Sequence, residues 1–246
     1  MNIPKEIILN QLIRIPLVQR IAKNQHLTGR NNDPVQVKAI FEKLNHYADF
    51  ESKNVIELGP GQTFGVLEKV LQANAKKVCA ADIMTYIEDI PNGIEYHQYD
   101  GTNLPFDDNL FDVLWTWSVF EHIRFPKITV PETYRILKKG GIAIHSIDLV
   151  DHFNYTWKKD ELTFNCLKYP EWLWNLMTWN RSNYVNRLRI NDWLNLFRKE
   201  GFNILHYDTV TNNHVKMLHA HHKIEYLQKY SDVDASTMSM FIVLQK

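Results

Sequence analysis

Short apolar runs and stretches of helical spacing alternate through most of the chain. Asn54-Val-Ile-Glu-Leu58 reads as a buried strand broken by Gly59-Pro-Gly61, after which Phe64, Val66, Leu67, Val70 and Leu71 recur on one helix face. Val78 to Asp82, Ile94 to Asp100 and Phe111 to Thr116 read as further strands. A helical pattern from about Ile128 to Lys139 is stopped by Gly140-Gly141, and Ile142 to Ile147 is strand again. Trp193, Leu194 and Phe197, with a stop at Gly201, make another helix, followed by strands at 202–210 and 238–244. Ahead of all this, Asp33-Pro34 supplies an N-cap and a proline at the first helical position, and Val37, Ile40, Phe41, Leu44 and Ala48 form one stripe. The alternation predicts an α/β fold, a parallel sheet with helices on both faces, whose ligands bind beyond the carboxyl ends of the strands. Asp82 and Asp100 stand at such ends.

Three segments depart from the alternation. Residues 3–23 carry Ile3, Ile7, Ile8, Leu12, Ile15, Val18 and Ile21 among Lys5, Arg14, Arg20 and Lys23, interrupted by Pro16. That basic amphipathic pattern suits a helix packed on the domain or a peripheral membrane contact, with packing the default. Residues 151–186 are rich in aromatics, and five of the seven tryptophans fall between 157 and 193. Such rings either pack as a helical cap or offer platforms to sugar faces and ring systems. Residues 211–236 are polar and bring His214, His219, His221 and His222 close together, which reads as a solvated helix before a metal site.

Composition narrows the partners. At 246 residues the chain fits a single domain spanning 1–246. The expected division is an N-terminal helical extension over 1–50, a cofactor-binding core over 51–148, an aromatic-rich substrate-side insertion over 149–189, and the C-terminal part of the sheet over 190–246. Lys+Arg and Asp+Glu both total 28, so no overall field points to nucleic acid. Cys79 and Cys166 are far apart and form neither a disulfide framework nor a zinc knuckle, which fits a reducing cytoplasm. No apolar run reaches the roughly 20 residues of a membrane span, and no signal-peptide pattern opens the chain. Nothing in the pattern sets an oligomeric state.

Two ligand classes use a glycine corner followed by an acid on the next strand. The dinucleotide pattern G-x-G-x-x-G is missed by one residue, since the spacing here is Gly59-x-Gly61-x-x-x-Gly65. Tyr134 and Lys138 mimic a dehydrogenase Tyr-x-x-x-Lys pair, but Gly140-Gly141 ends the helix too early for it. In contrast, Glu57-Leu-Gly-Pro-Gly61, Asp82, Tyr99-Asp-Gly-Thr-Asn-Leu-Pro-Phe106, Phe111 to His122 and Glu132 to Gly141 follow one another as an ordered set. That set resembles the class I S-adenosylmethionine-dependent methyltransferases, in their type 11-like form, over residues 54 to about 148. The resemblance implies a Rossmann-like, doubly wound, mostly parallel seven-stranded sheet with an antiparallel last strand, and S-adenosyl-L-methionine as cofactor. It assigns Asp82 to the ribose hydroxyls, Asp100 and the adjoining Gly101 to the adenine side, Gly59 and Gly61 to the methionine part, Glu57 to the polar end, and Ser118 to the neighbourhood of the methyl. Gln62 or Thr63 touches the cofactor through the longer loop. The chemistry agrees, because this cofactor has no phosphate and no basic residue occurs between Val55 and Glu68.

The acceptor is read from what is missing. Trp115-Thr-Trp-Ser118 stands where enzymes acting on nucleobase or amide nitrogens often carry an Asn/Asp-Pro-Pro-aromatic motif, and the acidic ligands of the metal-dependent phenol enzymes are absent, so no metal is expected. Asp148 and His152 follow the fifth strand, and a histidine suits proton removal from a hydroxyl, which makes them the expected catalytic pair. His122, His145 and Asp151 are weaker candidates. The expected reaction is methyl transfer to oxygen of a small-molecule or saccharide acceptor. A non-catalytic cofactor-binding domain and an NAD(P)-dependent oxidoreductase are the alternatives.

Overall fold

A computed structural model describes residues 2–18, 33–87, 89–153 and 163–246, so the expectations for 19–23, Tyr155 and Trp157 lie outside the described residues. The helices are α1 (Ile3–Leu12), α2 (Pro34–Tyr47), α3 (Gly65–Gln72), α4 (Pro126–Ile136), α5 (Glu171–Thr178), α6 (Ile190–Glu200), α7 (Asn213–Ala220) and α8 (Asp232–Ser236). The strands are β1 (Asn54–Leu58), β2 (Lys77–Asp82), β3 (Ile94–Gln98), β4 (Phe111–Trp117), β5 (Leu137–Asp148), β6 (Asn203–Thr211) and β7 (Thr237–Gln245). They form one seven-stranded sheet in the order β3-β2-β1-β4-β5-β7-β6. The pairs β2–β3, β1–β2, β1–β4 and β4–β5 are parallel. β7 runs against β5: Gly140 and Gly141 exchange backbone hydrogen bonds with Lys246 at one end, and Leu149 N–H donates to the Met238 carbonyl at the other. The sheet is thus mixed, with the antiparallel strand expected at its end of the chain.

Backbone contacts divide the chain into two compact units. One comprises 29–147, 193–208 and 241–246, the other 1–28, 148–192 and 209–240. In the first, α2 starts as its sequence demands: Asp33 accepts from Val35 N–H at 3.0 Å, and Pro34 occupies the first turn, where no N–H is needed. Val37, Ile40, Leu44, Phe50, Val55, Val66, Leu67, Val70 and Trp115 then close one apolar cluster. Each such side chain contributes about 1.5–3 kcal/mol when fully buried. His145, inside β5, is a core residue whose Nδ1 meets Thr116 Oγ1 at 2.9 Å and whose ring stacks on Phe120 at 4.1 Å. Burial drives its pKa down to about 3, so it is neutral and takes no part in proton transfer near pH 7.

The helix after β4 ends earlier than its pattern predicts. α4 stops at Ile136, where Asn109 and Leu110 N–H groups take the Arg135 and Ile136 carbonyls, and Leu137 is already extended and paired with Phe111. Gly140-Gly141 therefore lies in a register irregularity of β5 and does not cap a helix. Tyr134 and Lys138 fall on different elements, and Lys138 is ion-paired to Asp112 at 2.7 Å, which removes the dehydrogenase-like pair.

In the second unit Phe153, Phe164, Trp174 and Tyr184 are buried together, and the Trp174 indole N–H donates to the Val185 carbonyl at 2.8 Å. Most described rings of the aromatic segment therefore pack as a core. His219 departs from the expected solvated helix: it is buried, with Nδ1 3.0 Å from Asp232 and Nε2 3.1 Å from the Leu227 carbonyl, because α7 turns it inward while His214, His221 and His222 stay exposed. Arg189 is the main staple of this unit. Its buried guanidinium donates to the carbonyls of Leu149, Asp234 and Thr237 at 2.5–2.8 Å, tying the start of the insertion to the segment before β7. Arg189→Met keeps the stem but strands those three carbonyls, each costing about 1–3 kcal/mol before relaxation. A loss of about 3 kcal/mol or more in urea unfolding is expected, and a change below ~0.5 kcal/mol would show that water replaces the staple.

Candidate functional site

The parallel register of β1, β2 and β4 brings three carboxyl-terminal strand ends side by side: Leu58 opposes Ala81, and Glu57 opposes both Ala80 and Trp115. At this edge the backbone of β1 makes a turn that only glycine fits. Gly59 has φ +73°, its N–H donates to the Ala81 carbonyl at 2.8 Å, and a Cβ on it would stand 2.6 Å from Val119 Cγ2. Gly61, with φ +66°, donates its N–H to Asp82 Oδ2 at 3.2 Å. The acid ending β2 thus holds the glycine turn of β1 while its other oxygen accepts from Met84 N–H at 3.4 Å. Gln62 and Thr63 lie half-buried in the same loop, and Thr63 Oγ1 accepts from Gly65 N–H at 3.1 Å.

Both acids at the corner are buried at 7% exposure. Burial pushes the Glu57 carboxyl up to about 8; the Trp115 side chain offsets part of this, and the Asp82 charge adds to it. Asp82 is also raised, chiefly by burial, against the pull of the Gly61, Met84 and Ile83 amides. The corner therefore holds Glu57 largely protonated at neutral pH.

Around Asp82 stand three tyrosines that sequence reasoning overlooked. Tyr86, Tyr96 and Tyr99 all have phenols pushed up, first by burial and then by the Asp82 charge, and Tyr96 Oη donates to the Met84 carbonyl at 2.8 Å. Tyr99 also feels Asp100. Exposed Ile83 and Met84 follow the acid directly. The signal was available in Asp82-Ile-Met-Thr-Tyr86, where apolar residues continue past the strand's end.

Asp100 lies outside β3 and is exposed, with a carboxyl held well below the usual range by hydrogen bonds from Thr102 and Asn103. Four donors reach it: Thr102 N–H and Oγ1 at 2.8 and 2.7 Å, Asn103 N–H at 2.8 Å and Asn103 Nδ2 at 3.2 Å. Gly101, at φ +86°, turns the chain beside Ile83. Ser118 follows β4 in the left-handed region, φ +54°, a conformation uncommon for a residue with a Cβ and held here by its N–H bond to the Ser146 carbonyl at 2.8 Å.

Within the other unit the expected pair comes together. His152 Nε2 is 3.5 Å from Asp148 Oδ2, both side chains are mostly buried, and Asp148 Oδ1 accepts from Val150 N–H at 3.1 Å. Beside them Asp151 is fully buried, its carboxyl pushed up to about 6 by burial against the Phe153 amide and His152. Asp151 Oδ1 takes the Phe153 N–H at 2.8 Å, and the Cys166 amide also favours the charged carboxylate. Asp151 is a stronger acid–base candidate than its sequence position suggested, because nothing in the pattern foretold its burial.

The family described as "Methyltransferase domain" matches residues 32–207. Among solved structures, an S-adenosylmethionine-dependent methyltransferase from Mesorhizobium loti is similar at 12% identity and TM-score 0.54, over 85% of this chain and 96% of that one. Phosphoethanolamine N-methyltransferase 2 of Haemonchus contortus, in complex with S-adenosyl-L-methionine, is similar at 17% identity and TM-score 0.56, over 86% of this chain and 52% of that one. The [4+2]-cyclase SpnF is similar at 15% identity and TM-score 0.56, over 86% and 81%. No curated protein matches.

Because the native Glu57 keeps a proton that the unfolded chain releases near 4.5, stability is greatest below that pH and falls as pH rises through about 8. Glu57→Gln is expected to flatten this slope and to stabilise the ligand-free protein by ~1–3 kcal/mol at pH 8. Denaturation across pH 5–9 checks it; an unchanged slope would place the ionisation elsewhere.

Proposed function

The chain belongs to the methyltransferase-domain family, and from that premise we propose that it moves the methyl group of S-adenosylmethionine in line to a small-molecule or saccharide-type acceptor, at oxygen. The observation that carries the cofactor reading is the corner itself: two positive-φ glycines, two buried carboxyls and no cation between Val55 and Glu68. A diphosphate fits poorly beside two buried carboxyls; a ribose diol beside an amino-acid moiety wants carboxylates and bare backbone.

S-adenosylmethionine, when bound, supplies a methyl already activated on a sulfonium sulfur. The protein's part is to position and to exclude water. Asp82 accepts from the ribose hydroxyls, and Gly59 and Gly61 let the main chain approach the methionine part. Glu57 orders its polar end, with Gln62 and Ser118 on either side. Ile83, Met84 and Tyr99 offer flat apolar surface for the adenine. Asp100 can take the adenine amino group only by releasing a present donor, and Asn103 Nδ2, the longest of the four bonds, is the one to yield.

On the acceptor side, His152 accepts the hydroxyl proton and Asp148 orients its imidazole. Both lie on the chain that leaves the carboxyl end of β5, where ligands of such sheets bind. Asp151 provides a second buried carboxyl next in sequence to His152. A second reading, a domain that binds the cofactor without transferring methyl, is favoured by the likeness to a cyclase, which separates this architecture from one reaction.

Isothermal titration with S-adenosylhomocysteine tests the first half. Asp82→Ala is expected to weaken binding by ~10–100-fold, as fits the loss of a buried, charge-assisted hydrogen-bond acceptor worth about 1.5–3 kcal/mol; unchanged affinity would move the ribose site. Transfer of labelled methyl to fractionated metabolites tests the second. His152→Ala is expected to lower kcat by ~10²–10⁴-fold. An unchanged kcat would assign the proton to another group.

A further inference from the structure

Helix α1 is held by Ile3 and Ile7, which pack on the core, and by two polar anchors. Glu6 and Asn10 are buried: Glu6 is ion-paired to Arg181, Asn10 Nδ2 donates to the Leu176 carbonyl at 2.9 Å, and Asn10 Oδ1 accepts from Asn180 N–H at 2.8 Å. The opposite stripe, Lys5, Ile8, Leu9 and Leu12 at i, i+3, i+4 and i+7, faces solvent, and Ile15 and Leu17 extend the apolar surface. Ile8 is 58% exposed and Leu17 68%. On α5, which packs against α1, Trp172 is 67% exposed and Leu176 faces the same way one turn on. A helix lying on a soluble core normally turns its apolar stripe inward. Here Ile3 and Ile7 pack on the core beside the buried carboxylate and amide, and the second apolar stripe of Ile8, Leu9 and Leu12 is left for a partner.

Charge identifies the partner's chemistry. Residues 1–32 contain Lys5, Arg14, Arg20, Lys23 and Arg30 and one acid, Glu6, which is already paired. The remainder of the chain holds 23 basic against 27 acidic residues, so the positive charge is concentrated at this end. Glu171, exposed beside Trp172, marks its limit on α5. Lys5 and Arg14, interleaved with exposed Ile8, Leu9, Leu12 and Ile15, match the headgroup region of an anionic bilayer, where apolar side chains insert and Lys and Arg remain at the phosphates. A second copy fits less well, because a two-fold contact through this face would set Lys5 and Arg14 against their own equivalents. Among the described residues no helix is long and apolar enough to cross a membrane, so contact is from one side only.

We propose that the outer faces of α1 and α5 form a docking surface for an anionic lipid interface. The test uses the full chain and flotation with phosphatidylcholine vesicles, with or without phosphatidylglycerol, at low and high salt. Binding to the anionic vesicles, lowered by salt, is expected. Ile8→Asp with Leu12→Asp should reduce partitioning at least ~10-fold, and Arg14→Glu should lower it by more than the roughly fivefold that one basic residue contributes at such a surface. These positions are exposed, so circular dichroism and melting should be unchanged. If the aspartate pair unfolds the chain, quenching of Trp172 by brominated lipid, absent in Trp172→Phe, decides instead. No binding to either vesicle overturns the proposal. So does equal binding by wild type and variants, or a dimer that the same substitutions disperse without any vesicle binding.

Discussion

The approach of Gly59 to Val119 is the contact on which the corner depends. It sets the end of β1 against the loop leaving β4 at a distance no side chain tolerates, and the Gly59 N–H closes the third side on β2. Three strands from distant parts of the sequence are thereby made to finish together. Asp82 then reinforces the same turn through Gly61. Asp82, which we propose for the ribose hydroxyls, is thus also a structural member of the glycine loop.

That double role explains the electrostatics. Burial in one low-dielectric corner raises both carboxyls, the Asp82 charge raises Glu57 further while backbone amides hold Asp82 back, and the cheapest resolution is a proton on Glu57. A lysine nearby would relieve the strain and would also invite phosphate.

Much of the larger unit was legible in the sequence because its elements are local: the cap at Asp33, the stripe on α2 and the apolar runs ending in acids follow periods that a helix or a parallel strand must obey. The end of α4 was misread because the bulge at Gly140 is set by β5 pairing with β4, a contact between distant residues. The same holds at the candidate site. Glu57, Asp82 and the glycines announce themselves through spacing, whereas the tyrosines around Asp82 and the burial of Asp151 arise only when separate segments meet. Helix α1 shows the sharpest difference. Its helical spacing shows in the sequence, but its inward face combines Ile3 and Ile7 with Glu6 and Asn10, whose partners include Arg181, 175 residues from Glu6.

The proton on Glu57 has a calorimetric consequence. A cation brought to the corner favours the ionised carboxylate, so a ligand whose ammonium meets Glu57 would expel that proton to the buffer, and because methyl donor and spent product carry the same amino-acid end, both would do so. Heats of association for both would vary with the ionisation enthalpy of the buffer, and both affinities would rise as pH approaches the range in which the free corner loses its proton.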